Sequence, residues 1–213
     1  MEKIDWLDYK GNRSPILEAF RVVRSNLKHN MREDVLQLIE ITSPEKGTDK
    51  SSVIAGLAIV LAQEGKKTLV VDGNFVEPVQ HILFSLNNKG ITDCIVSGTD
   101  FHKMIQHCKD QEYLDILPCG TAPAPFGDIL NGGVMLSFFN SVRNEYDYIL
   151  LDVSPVKESA DSLAMGSKAD GVILVVTFGE NELSSLTDAK IKLEQSGAKI
   201  IGCILDKVQA DVR

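Results

Sequence analysis

Hydrophobic positions along the chain follow two rhythms. Five short runs rich in Val, Ile and Leu have strand length: residues 35–42 (VLQLIEIT), 67–72 (KTLVVD), 148–152 (YILLD), 171–177 (GVILVVT) and 199–205 (KIIGCIL). Helical spacing occupies most of the intervals. In residues 14–30, Ile16, Leu17, Phe20, Val23 and Leu27 recur on one face, after Ser14 with Pro15 in the first turn. Residues 51–64 form an almost wholly apolar helix ended by Gly65, and further helices are predicted over 137–145 and 182–196, the latter closed by Gly197. Strands this continuously apolar, alternating with helices, predict a doubly wound α/β fold: a mostly parallel sheet covered on both faces. Residues 73–135 are less regular, carry most of the prolines and read as a variable excursion. No linker divides the chain, so one domain spanning 1–213 is expected.

Composition narrows the possible partners. A hydrophobic fraction of 44% with 24% charged residues is enough for a sizeable core. The net charge of −8 argues against a general nucleic-acid or anionic-membrane surface, leaving Arg21, Arg24 and Lys28 as a local basic patch. No segment approaches the ~20 apolar residues of a membrane span, and the opening MEKIDWLDYK is too polar for a secretory signal. Cys94, Cys108, Cys119 and Cys203 lack metal-ligand spacing and read as reduced thiols, so a cytoplasmic protein is expected. His102, His107 and Cys108 fall in what reads as an amphipathic helix, as solvated or half-buried side chains rather than a metal site.

The candidate chemistry lies between strand 35–42 and helix 51–64, in Ser43-Pro44-Glu45-Lys46-Gly47-Thr48-Asp49-Lys50-Ser51. A phosphate loop needs backbone N–H groups aimed at anionic oxygens, a helix N-terminus behind them, a lysine for the terminal phosphates and a hydroxyl for Mg²⁺. Gly47, Thr48, Asp49, Lys50, Ser51 and Ser52 are the candidate phosphate-binding stretch. The strict pattern wants glycine where Asp49 stands. Asp72 and Asp152 each close an apolar strand, and ligands of open α/β sheets lie at the carboxyl ends of strands. Carboxylates there hold Mg²⁺ directly or through water. Either alone would be an ordinary strand-terminating residue; three such features in order favour a nucleotide site.

In this order the motifs resemble the bacterial tyrosine kinases of capsule and exopolysaccharide export, relatives of the MinD/ParA ATPases. The resemblance covers roughly residues 14–208. Glu18, Arg21 and Arg24 match that family's ExxRxxR helix, and VVDGNFVEP (70–78) its DxDxRxP stretch. LDILPCG (114–120), PFGDIL (125–130) and YDYILLDVSP (146–155) match its LxVLPxG, NPSELL and YDYIIxDxPP segments. The resemblance implies a P-loop fold using ATP and Mg²⁺. Lys50 would bind the β- and γ-phosphates, Ser51 would ligate Mg²⁺, and Asp152 would hold the metal through water. Asp72 would be the metal-linked carboxylate that orients or deprotonates an acceptor tyrosine, and Asp206 would lie near the adenine. Glu18, Arg21 and Arg24 would pack against the next subunit and close a homo-oligomeric ring. A membrane-embedded polysaccharide co-polymerase-type adaptor is the implied partner, placing the protein at the inner face of the membrane.

The departures from the family fall on the chemistry. Asp49 adds a carboxylate, and one unit charge about 5 Å from another at effective dielectric ~20 costs about 3 kcal/mol. Lys46, in place of a proline, is positioned in sequence to pair with Asp49 or reach the phosphates. Asn74 and Val76 replace the second aspartate and the arginine of DxDxR, Asp206 replaces an asparagine, and the tail from Lys207 to Arg213 has no tyrosine. Tyr9, Tyr113, Tyr146 and Tyr148 are the only acceptors within the chain, the last two on or beside a core strand. The expected activity is therefore ATP-dependent tyrosine (auto)phosphorylation with weakened or lost catalysis. Two alternatives stay open: a non-catalytic pseudokinase scaffold that binds the adaptor or an active kinase, and a partition- or septum-type ATPase switch.

Overall fold

The computed structural model describes residues 15–30, 36–121 and 132–207. Tyr9, Ser14, the 125–130 segment and the tail beyond Lys207 lie outside the described residues. Seven strands form one sheet: β1 (Leu38–Thr42), β2 (Thr68–Gly73), β3 (Gln106–His107), β4 (Leu114–Leu117), β5 (Tyr148–Val153), β6 (Gly171–Thr177) and β7 (Ile200–Asp206). Their order is β3-β4-β2-β5-β1-β6-β7, and every neighbouring pair is parallel except the antiparallel β3–β4 edge. The five strands expected from the pattern are all present. Within 73–135 the chain adds β3 and β4 to the sheet, with helices α3 (Gln80–Leu83) and α4 (Ile91–Ser97) and a 3-10 turn at Phe101–Met104. That turn and β3 replace the amphipathic helix expected around His102 and His107. His102 Nδ1 instead lies 2.8 Å from Asp100 Oδ1, and His107 Nδ1 2.8 Å from Asp115 Oδ1. Each ring thus has its own carboxylate on a different element, which is why they do not group.

Strand alternation sends side chains to two separate cores. Ile39, Ile41, Val70 and Leu150 pack with α1 (Pro15–Asn30) and α2 (Lys50–Gln63) on one face. Leu69, Val71, Ile149 and Leu151 pack with Phe138 and Phe139 of α5 (Gly133–Val142) on the other. Both faces of β1, β2, β5 and β6 are covered, so these strands need no polar side, whereas the edge strand β7 stays partly exposed. The remaining helices, α6 (Asp161–Gly166) and α7 (Leu183–Gln195), cover the β6–β7 end together with Leu174, Ala189 and Leu193.

Helix α2 is buried along nearly its whole length, between the sheet and α1. Gly56 makes that layering possible: a Cβ there would stand 2.2 Å from a ring carbon of Phe20 on α1. Arg24 on α1 donates to the Val60 carbonyl at 3.3 Å and lies 3.6 Å from Glu64, while Lys28 also pairs with Glu64. These contacts tie α1 to the exposed carbonyl end of α2, where cations are favoured by the helix dipole. At the opposite end of the sheet from the loop, Arg143 and Asp170 form a two-pronged pair at 2.8 and 2.9 Å. Asp170 also accepts from the backbone of Gln37 and Leu38, fixing where β1 enters.

Candidate functional site

The carboxyl ends of β1, β2 and β5 converge on the start of α2. Pairing of β1 with β5 and of β2 with β5 brings Asp72 directly across from Asp152, at the ends of adjacent central strands. Both carboxyl groups are fully buried. Lys50, the first residue of α2 and also buried, pairs through Nζ with Asp152 Oδ1. Asp72 accepts from the backbone N–H groups of Gln80 (3.0 Å) and Asn74 (3.3 Å). Burial and the neighbouring Asp152 carboxylate push its pKa up to about 8, against the lowering effect of those N–H groups and Lys50.

The loop from Ser43 to Asp49 joins the end of β1 to the start of α2 and turns at Gly47. Gly47 adopts φ +92, a conformation that L side chains rarely enter, with open space where a Cβ would be. Ser43, Thr48, Lys50 and Ser51 line one side of a cleft, and Asn74 and Val79 the other. Thr48 Oγ1 is buried with no hydrogen-bond partner among the described residues. Asp49 occupies the N-cap of α2 without capping through its side chain, and it is exposed. The added carboxylate therefore stands in high-dielectric surroundings, which shrinks the repulsion expected from its sequence position. Lys46 does not pair with it as the spacing suggested; its Nζ lies 3.0 Å from Glu158. The cause is a short zipper in which the backbone N–H groups of Val156 and Lys157 donate to the carbonyls of Ser43 (2.9 Å) and Pro44 (3.2 Å). That register sets Glu45 against Lys157 at 2.8 Å and Lys46 against Glu158, two successive ion pairs of opposite polarity between the loop and the segment after β5. Hydrogen bonds from Lys157, then Asn181, hold Glu45 below the usual carboxylate range.

Several participants were not visible from sequence. Glu40, inside apolar β1, is fully buried below the loop and accepts from Ser162 Oγ at 3.0 Å. Burial pushes its carboxyl well above the ordinary range, with Ser162 and Lys50 opposing. Gln80 is fully buried and donates from Nε2 to Asp152 Oδ2 (2.7 Å) and to the Ser51 carbonyl (3.2 Å). Asn74 is locked as an acceptor, taking Ser154 Oγ at 3.0 Å and the Glu77 N–H at 3.3 Å. An aspartate of the same shape would accept the same two bonds, so the amide is compatible with its neighbours without being required by them. Ser52 is half-buried on the next position of α2, and Asp206 ends β7 with Oδ2 buried and unpartnered among the described residues. Glu18 and Arg21 pair on the outer face of α1 at 2.8 Å, whereas Arg24 turns to α2; the three do not act as one surface set.

The donor set fits a Mg²⁺–phosphate group: two carboxylates, a helix-start hydroxyl at Ser51, a lysine and a glycine-shaped turn. Mg²⁺ retains waters and needs only one or two carboxylates besides phosphate oxygens. Fold and site together define a P-loop NTPase-like α/β protein. The AAA domain family model matches residues 36–195. CapB of Staphylococcus aureus is 31% identical over 93% of this chain and 87% of its own length. The tyrosine-protein kinase YwqD of Bacillus subtilis is 30% identical over 89% of this chain and 80% of its own. The solved kinase domain of the Escherichia coli tyrosine kinase ETK superposes with a TM-score of 0.85 at 26% identity, covering 98% of this chain and 89% of that one. The chain belongs to the bacterial tyrosine-protein kinase family, within the AAA domain class.

Proposed function

We propose that the protein binds Mg·ATP in the cleft between the Ser43–Ser51 loop and the Asp72/Asp152 pair. Its role is that of an ATP-dependent tyrosine (auto)kinase in capsular or exopolysaccharide biosynthesis, with weakened phosphoryl transfer. The observation carrying this reading is the convergence of Lys50, Ser51, Asp72 and Asp152 from two strand ends and one helix start. When bound, Mg²⁺ neutralises charge on the phosphate oxygens; Ser51, Asp152 and Asp72 would hold it. Gly47, Thr48, Asp49 and Ser52 contribute the loop and helix-start backbone around the phosphates, and Lys50 supplies the cation. Asp72 as acceptor base must first lose the proton that its burial retains below about pH 8. Asp206 would stand at the adenine end.

A second reading, a non-catalytic scaffold, draws support from the tyrosines. Tyr148 is buried in β5 and Tyr146 donates its hydroxyl to Asp115 Oδ2 at 2.9 Å, so neither is presented to a neighbour. Tyr113 is 39% exposed and is the one described tyrosine open to modification. The septum-type switch reading is weakened by Lys46, which is engaged by Glu158 on its own chain.

The two main readings share a test in thermal melting with Mg·ATP. At 100 times the dissociation constant, binding adds about 2.7 kcal/mol of stability. A shift supports the kinase reading, and Asp49→Gly should enlarge it. An absent shift at millimolar nucleotide would leave only the scaffold.

Under either reading we place the protein at the inner face of the membrane through a polysaccharide co-polymerase-type adaptor, in a homo-oligomeric ring built on the Glu18/Arg21/Arg24 helix. No helix among the described residues is long and apolar enough to cross a membrane. Arg24 anchors α1 to α2, so the clean probe of assembly is Arg21→Ala alone. It should shift a large species toward monomer by light scattering while leaving the melting temperature within a degree or two. An unchanged mass distribution would exclude Arg21 from the contact.

A further inference from the structure

Gln80 touches all three elements that build the cleft. Its backbone N–H donates to Asp72 Oδ2 at the end of β2. One side-chain amide then reaches Asp152 Oδ2 at the end of β5 and the Ser51 carbonyl in the first turn of α2. Both amide hydrogens are therefore committed, while Oε1 is buried with no partner among the described residues. An unsatisfied buried acceptor costs about 1–3 kcal/mol. An apolar side chain of the same shape would remove that orphaned acceptor but would take the donor from Asp152 Oδ2 and the Ser51 carbonyl. Gln80 follows directly on Pro78 and Val79, whose segment returns the chain from the end of β2 to the cleft.

We infer that Gln80 is a positioning residue for the metal–phosphate site: it fixes the Asp152 carboxylate against the Ser51 turn, and its free Oε1 is the acceptor for a donor brought in by the bound group. The inference rests on the Mg·ATP reading above and adds to it a residue outside the loop and the strand-end aspartates. Lys50 and the loop backbone bind phosphate without Gln80. The metal-dependent part of the affinity needs it, because Ser51 and Asp152 must both be placed before one ion can be shared between them. Outer-shell partners of this kind typically govern tenfold to hundredfold in metal affinity.

The test uses two variants of nearly unchanged shape, Gln80→Met and Gln80→Glu, with ADP as the probe, titrated calorimetrically in Mg²⁺ and again in EDTA. Gln80→Met should keep its affinity in EDTA within about threefold and lose about tenfold or more of the Mg²⁺ enhancement. Gln80→Glu should move the opposite way: weaker in EDTA, because a third carboxylate faces the phosphates, and steeper in its response to Mg²⁺. Equal losses in both buffers, or an intact Mg²⁺ enhancement in Gln80→Met, would show a merely structural residue and overturn the inference. If Gln80→Met does not fold, Gln80→Glu decides alone: a Mg²⁺ response equal to wild type overturns it. Wild-type protein that binds no ADP in either buffer overturns the nucleotide reading itself, and the inference with it.

Discussion

Replacing Asp72 by asparagine is expected to stabilise the nucleotide-free protein at pH 8 and to flatten its dependence on pH. Asp72 is fully buried opposite Asp152, and burial with that neighbouring charge raises its pKa to about 8. In the unfolded chain an aspartate titrates near 3.9. Between these two values the folded protein holds a proton that the unfolded chain has released. Stability from this group is thus fully present below pH ~4 and is lost as pH rises toward 8, with a limiting slope of about 1.4 kcal/mol per pH unit. Asparagine is neutral throughout, accepts the same N–H groups of Asn74 and Gln80, and offers a donor toward Asp152. Urea unfolding from pH 5 to 9 measures the difference. The wild type should lose stability relative to Asp72→Asn as pH rises, by several kcal/mol in total. Parallel curves would mean that Asp72 is already ionised in the folded protein, and that its acceptor-base role needs no deprotonation step.

Lys50→Met should cost about 3–5 kcal/mol near neutral pH, because it leaves the buried Asp152 carboxylate without its cation. It should also abolish the Mg·ATP melting shift. The two effects are separable. Lys50→Met combined with Asp152→Asn removes both charges, and the double variant should regain most of the lost stability while remaining unable to respond to nucleotide. The interaction energy of that cycle reports the pair directly. A double variant no more stable than Lys50→Met would mean that Lys50 supports the fold by packing and not by neutralising Asp152. A retained nucleotide shift in the single variant would move the phosphate contact from Lys50 to the loop backbone or to Lys46.

The zipper between the loop and the segment after β5 gives the site a property its relatives' motifs do not spell out. Glu45 and Lys46 are bound in turn to Lys157 and Glu158, and Glu45 also accepts from Ser185 on α7 at 3.3 Å. Position and charge at the front of the loop are thus coupled to β5 and α7. The sequence suggested instead that Lys46 would offset Asp49 within the loop. The difference is one of register: two backbone hydrogen bonds align residues 43–44 with 156–157, and the side chains that follow meet in the same order, Glu45 with Lys157 and Lys46 with Glu158.

What the sequence settled by itself was everything encoded within about ten residues. Apolar runs bounded by polar ends marked β1, β2, β5 and β6, since strands buried on both faces carry no polar alternation; β7 was marked by the same composition although it lies partly exposed at the sheet edge. Lys50 and Ser51 at a helix mouth, and Asp72 and Asp152 at strand ends, were marked by local pattern, and the structure brings them to one edge of the sheet. Glu18, Arg21 and Arg24 were singled out by their resemblance to a family motif rather than by local physical pattern. Only the tertiary structure decided the rest. Glu40 is a single charge inside an apolar strand, and nothing beside it in sequence reveals that Ser162 will meet it. Gln80 is a common polar residue whose partners, Ser51 and Asp152, lie 29 and 72 positions away. Arg24 belonged by spacing with Arg21, yet the packing of α1 on α2 gave it to Val60 and Glu64. Local pattern fixes which backbone forms and which face is buried; which polar atoms come to share a buried space depends on strand order, and that is set by packing across the whole sheet.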